Sequence, residues 1–197
     1  MDKKLKYNVS QMAQMAMLSA VSIVSLYVIP LLSFFPSAPF LQYDVADVPV
    51  LIGTMLFGPG SGLLILGVVS VIQGITISAA SGWIGIVMHF CASGMLVLIS
   101  GLLYRKFQTV TTMIIGLVLG ALAMTGIMIP LNLFFTVRFM GAPYPFVKSL
   151  LLPAIIPFNL LKAGLNSIFA GILFYPLKSI LVKLDLLQPP RCKLKKK

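Results

Sequence analysis

Glutamate is absent from this chain of 197 residues, and aspartate occurs only at positions 2, 44, 47 and 185. That excludes any glutamate-dependent protease or glutamate acid/base pair. There is one histidine, His89, and two cysteines, Cys91 and Cys192, with no Cys-x-x-Cys spacing. A zinc site is therefore not expected. Cys91 falls in an apolar span and Cys192 in a basic tail, so no disulfide is expected either. No Gly-x-x-x-x-Gly-Lys-[Ser/Thr] run occurs, which removes ATP hydrolysis through a phosphate loop. Charged residues make up only 10% of the chain, against about 25% in a soluble domain. No repeat of about 20–50 residues and no duplicated halves are visible, which argues against a solenoid or a two-repeat carrier.

What is present is apolar: 59% of residues are hydrophobic, and mean hydropathy is +1.04. The chain reads as an all-α integral membrane protein forming one transmembrane domain over 1–197, with a basic cytoplasmic tail at about 183–197. Six helices are expected, at about Asn8–Ile29, Asp44–Phe57, Leu63–Ala79, Trp83–Tyr104, Thr109–Phe135 and Pro153–Leu177. Asp44 is a natural N-cap for the second. Pro30, Pro36 and Pro39 make a long aromatic first loop, Gly58–Gly62 a tight turn, and a short interfacial helix is expected near Lys148. The basic, then apolar N-terminus resembles a signal peptide. Gln11 and Gln14 interrupt it and no small-x-small cleavage site follows, so it reads as a retained first helix.

The net charge of +11 reflects scarce anions more than abundant cations. Of the 15 lysines and arginines, all but Arg138, Lys148 and Lys162 fall on the side of the termini in a six-helix topology. By the positive-inside rule both termini are then cytoplasmic. Cations at the ends of apolar segments indicate topology and attraction to anionic lipid, so a lipid membrane is the expected partner and nucleic acid is not.

Lys162 stands inside the sixth helix, roughly 13 Å below Pro153 at about 1.5 Å per residue. A charge at that depth normally faces a cavity or a partner and marks a functional site. Asn159, Lys162 and Asn166 share one helical face. Asn132, near the outer end of helix 5, and His89, about two turns into helix 4, lie at similar depth. Asp44 and Asp47 open helix 2 on the same side. Each has a plainer role: repair of the backbone after Pro130 for Asn132, snorkelling for Lys162, a hydrogen bond to a neighbouring helix for His89, capping for Asp44. Together, Asn132, Asn159 and Lys162 point to a pocket open to the outside. Amides offer paired donors and acceptors, and lysine a cation, which suits a ligand edge bearing carbonyls and an imide N–H. Phe40, Tyr43, Trp83, Phe134 and Phe158 are available to bury a flat ring or to anchor the interface. The competing classes are an intramembrane enzyme, for which His89 with a serine is the only available dyad, and a channel or carrier. Asp44 and Asp47 have no histidine at helical spacing.

Ala13, Ala16 and Ala20, with Ser19, form a small-residue stripe on helix 1, and Gly116 and Gly120 a similar pair on helix 5. Such faces let helices approach closely. Internal packing is expected for the glycine pair.

The six helices, the basic N-terminus, the alanine stripe, the aromatic first loop and Phe57-Gly58-Pro59 together resemble the substrate-binding S components of energy-coupling factor (ECF) vitamin transporters. Phe40-Leu-Gln-Tyr43-Asp44-Val-Ala-Asp47-Val-Pro49 and Ile156-Pro157-Phe158-Asn159-Leu160-Leu161-Lys162 are most similar to the riboflavin-specific branch. The resemblance implies an ECF S-component-like bundle in a prokaryotic cell membrane. It implies no enzyme activity and no cofactor, with riboflavin as the transported ligand, and as partners a transmembrane T component and two ATP-binding cassette ATPases. It implies that Asn132, Asn159 and Lys162 contact the flavin ring and that the loop around Leu41–Tyr43 covers it. Phe40, Gln42, Asp44, His89 and Asn166 complete the candidate ligand set. Ala16 and Ala20, with Ala13, would face the T component. Riboflavin and its relatives roseoflavin and flavin mononucleotide stay open, as does another vitamin.

Overall fold

The computed structural model describes residues 9–29, 41–139 and 141–186. The N-terminal lysines, the proline-rich loop with Phe40, and the tail with Cys192 lie outside them. The regular elements among the described residues are all helices, with no strand. The helices are α1 (Val9–Val28), α2 (Asp47–Phe57), α3 (Pro59–Ile75), α4 (Gly82–Phe107), α5 (Val110–Leu131), α6 (Tyr144–Leu150) and α7 (Ile156–Lys183). Wide π-type turns over Asn132–Thr136 and Leu151–Ile155 extend α5 and join α6 to α7.

The burial pattern is that of a protein whose outer solvent is lipid. On α5, Met113, Gly116, Leu117, Gly120, Ala121, Met124 and Thr125 face inward, at spacings of three and four. Ile114, Ile115, Val118, Leu119 and Leu122 of the same helix are exposed. Apolar side chains thus cover the outside, while Asp44, Asp47, Asn132, Asn159, Lys162 and Asn166 are buried. Four helical stretches are long and apolar enough to cross a bilayer: Val9–Val28, Gly82–Phe107, Val110–Thr136 and Tyr144–Lys183. α2 and α3 are shorter.

α2 sits at the centre, packed by α1, α3, α4 and α7, with every residue from Asp47 to Met55 buried. α4 and α5 form the closest pair. A Cβ added at Gly120 would lie 3.0 Å from the Leu96 carbonyl oxygen, and one at Gly116 would lie 3.1 Å from Ser100 Cα. These glycines therefore serve internal packing, as expected.

Several boundaries differ from the sequence reading. Asp44 is not the N-cap of α2; that position is Ala46, and the Asp44 carboxylate instead accepts from the Ala46 N–H at 3.3 Å. The expected turn at Gly58–Gly62 contracts to Gly58, whose φ of 96° only glycine adopts readily. Pro59 then takes the first position of α3, where its missing N–H costs nothing. α3 ends early, and a 3₁₀ turn at Ala79–Ser81 leads into α4. The separate interfacial helix near Lys148 is continuous with the last helix, because the π-type turn absorbs Pro153 without breaking the rod. Thr109, the expected start of the fifth helix, is the N-cap of α5, with reciprocal bonds to Thr112.

Candidate functional site

A cavity of about 370 Å³ opens among the segment before α2 and helices α3, α4, α5 and α7. Seven of the sequence candidates line it: Leu41, Gln42, Asp44, His89, Asn132, Asn159 and Lys162. Phe158 contributes an apolar wall with Met88, Met124 and Met128.

Lys162 and Asp44 form a buried ion pair, Nζ to Oδ2 at 2.8 Å. Breaking such a pair leaves an uncompensated buried charge, so each partner fixes the other. Three more bonds hold the same segment. Gln73 Nε2 donates to Asp44 Oδ2 at 3.2 Å, Asn166 Nδ2 donates to the Asp44 carbonyl at 3.2 Å, and the Tyr43 hydroxyl donates to Asn166 Oδ1 at 3.0 Å. Tyr43 and Asn166 therefore stand behind the cavity wall, tying it to α7, and are not among its lining residues.

A second buried carboxylate, Asp47, pairs with His89 Nε2 at 3.1 Å and accepts from Ser93 Oγ at 2.8 Å. The other ring nitrogen lies 3.5 Å from Ser70 Oγ. His89 thus does bond neighbouring helices. The sequence had offered Asp47 no histidine because the two meet across α2 and α4, not along one helix.

The two key amides turn back on their own helices. Asn132 Nδ2 donates to the Met128 carbonyl at 2.8 Å, and Asn159 Nδ2 to the Ile155 carbonyl at 2.7 Å. Asn132 does not repair the gap left by Pro130, since the carbonyl four residues before that proline belongs to Gly126. Each amide nitrogen carries two protons and each back-bond uses one, so the second can meet a ligand. The lysine ammonium has three protons, of which Asp44 takes one.

The aromatic set divides. Trp83 packs edge-on against Phe139 at 5.3 Å and Phe135 at 6.2 Å, and Phe134 joins that cluster. Trp83 and Phe134 are exposed and outside the cavity lining, so they do not wall the site. Gln73, Ser70 and Thr136, which do line it, were missed. Gln73 carried a legible signal, a long polar side chain inside an apolar helix. No cluster of three or more metal-ligating side chains occurs among the described residues.

Ala13, Ala16 and Ala20 are exposed on the outside of α1. Ala16 and Ala20 border a shallow apolar groove between α1 and α3, with Ser19, Leu64 and Val68.

Comparison with known proteins points to one family. The model of the ECF transporter, substrate-specific component, matches residues 10–174. The riboflavin transporter RibU of Streptococcus thermophilus is 34% identical over 157 residues, covering 76% of this chain and 74% of that protein. The riboflavin transporter FmnP of Bacillus subtilis is 29% identical over 162 residues, covering 77% of this chain and 85% of that one. A solved structure of the S component of a bacterial ECF transporter superposes with a TM-score of 0.73 at 27% identity, covering 87% of this chain and 96% of the other.

Proposed function

The chain belongs to the substrate-specific components of ECF transporters, and from that premise we propose that it is the subunit that binds riboflavin at the cell membrane. One observation carries the reading: Asn132 and Thr136 from the π-type turn that extends α5, and Asn159 and Lys162 from α7, converge on a single cavity of about 370 Å³. Binding pockets for small organic ligands run from about 300 to 1,000 Å³, mostly apolar with a few placed polar groups. The methionines and Phe158 suit the faces of a flat tricyclic ring, through ring contacts and sulfur–aromatic contacts. The spare amide and ammonium protons suit the ring edge, where carbonyls flank an N–H. The riboflavin transporters among its relatives support the same assignment.

In this reading the protein spans the membrane six times, with α2 and α3 as short spans and both termini cytoplasmic. The cavity opens outward, Asn132, Asn159 and Lys162 hold the flavin ring, and the segment around Leu41–Tyr43 covers it. The exposed Ala16–Ala20 face meets a transmembrane T component, and two ATPases supply the energy. The chain itself performs no catalysis.

Absorbance of the purified protein and titration with riboflavin test the reading. Retained yellow flavin and one-to-one quenching of its fluorescence are expected. Monodisperse protein that neither carries nor quenches flavin would overturn it.

A further inference from the structure

The ionisable groups bordering the cavity come in pairs. Lys162 is matched by Asp44 at 2.8 Å and His89 by Asp47 at 3.1 Å. Among the described residues no other lysine, arginine or histidine lines the cavity. Residues 30–40, just ahead of the Leu41 wall in the chain, contain none either. The Asp44 carboxylate is also held by Gln73 and by the Ala46 N–H, at 3.2 and 3.3 Å. It therefore cannot swing away from Lys162 without breaking further buried bonds.

A phosphate ester carries about −1.5 to −2 charges at neutral pH. Buried phosphate is stabilised by cations and charge-assisted donors. Here the one lysine is already neutralised, so a phosphate brought into the cavity would stay uncompensated in a poorly solvated place. An uncharged ligand meets no such penalty. Resting on the flavin reading above, we propose that Asp44 is a specificity-determining residue. By keeping Lys162 compensated, it makes the cavity select the uncharged flavin over its phosphate ester.

The test titrates riboflavin and flavin mononucleotide against the purified full chain, by flavin fluorescence quenching. Wild type is expected to bind riboflavin at least about tenfold more tightly. Asp44→Asn keeps shape and removes the carboxylate charge, so the ratio of the two dissociation constants should fall about tenfold or more. Lys162→Met removes the cation, so the ratio should hold or rise. Equal affinities in wild type would overturn the proposal without any variant. So would an unchanged ratio in folded Asp44→Asn, or a ratio that falls in Lys162→Met. If wild type binds neither flavin, the flavin reading itself fails; if it binds riboflavin and the ratios disobey, only the role of Asp44 does.

Discussion

Lys162 and Asp44 stand 118 positions apart in the chain and meet at 2.8 Å inside the bundle. The pair links the segment ahead of α2 to the first third of α7, and so fixes one wall of the cavity to another. Removing either partner of a buried pair typically costs about 3–5 kcal/mol, whereas replacing both is often far milder. Lys162→Met and Asp44→Asn should each lower the unfolding temperature in detergent, and the double variant should lose less than the sum. Strict additivity of the two losses would show that the pair is not coupled.

Riboflavin affinity should fall about ten- to a hundredfold in Lys162→Met, or roughly 1.4–2.8 kcal/mol at 1.4 per tenfold. A hydrogen bond from a charged donor is worth about that much. Lys183, exposed at the end of α7, is the control, and Lys183→Met should leave affinity unchanged. Lys178 serves less well, because its ammonium lies 5.5 Å from the Phe174 ring centre and 3.4 Å from the Tyr104 hydroxyl. Equal affinity in wild type and Lys162→Met would take this lysine out of the site.

Ala16→Trp and Ala20→Trp place bulk on the exposed face of α1, away from the cavity. Uptake by cells carrying the complete transporter should be abolished, while riboflavin binding to the isolated chain stays within about twofold of wild type. Binding and uptake lost together would mean the stripe packs internally.

The glycines separate packing from propensity. A Cβ at Gly120 would approach Leu96 Cδ1 to 2.8 Å, whereas one at Gly126 meets nothing within 4 Å. Gly120→Ala should destabilise by about 1–3 kcal/mol through overpacking. Gly126→Ala should be neutral or gain up to about 1 kcal/mol of helix propensity. Thermal unfolding in one detergent measures both, and a Gly120→Ala protein as stable as wild type would contradict the close α4–α5 contact.

A reporter active only in the cytoplasm, fused after Lys197, should be active. One fused in the α5–α6 connection, near Gly141, should be silent. The reverse pattern with normal expression would invert the assigned topology.

Composition announced a helical membrane protein, because nothing else tolerates so many apolar residues with so few charges. Lys162, Asn159 and Asn132 were legible as a site because each is costly in lipid unless something receives it. Their partners were less legible. The Asp47–His89 contact joins two helices, and no spacing along a chain encodes it. Asp44 read as a cap because caps are local, and its actual partners, Lys162 and Gln73, are distant. The extent of the turn at Gly58 and the continuity of α6 with α7 were not legible from glycine and proline spacing, because position one of a helix and a π-type turn both accommodate proline. Trp83 and Phe134 were legible only as aromatics available to a ring or to the interface, and the structure packs both against Phe135 and Phe139.

α2 has a consequence for how the protein meets its surroundings. At 11 residues it is about 16 Å long, roughly half the thickness of a bilayer's hydrocarbon core, and its neighbours screen nearly all of it. Membranes of different thickness act on a protein through the tilt and ends of its lipid-facing helices. α4, α5 and α7 feel that force; α2 does not. Its start and the Tyr43–Ala46 segment are pinned by hydrogen bonds and ion pairs to protein, at fixed offsets from α3, α4 and α7. The centre of the bundle is thus mechanically insulated: a thicker or thinner host membrane would tilt the outer staves while the short inner peg keeps its register.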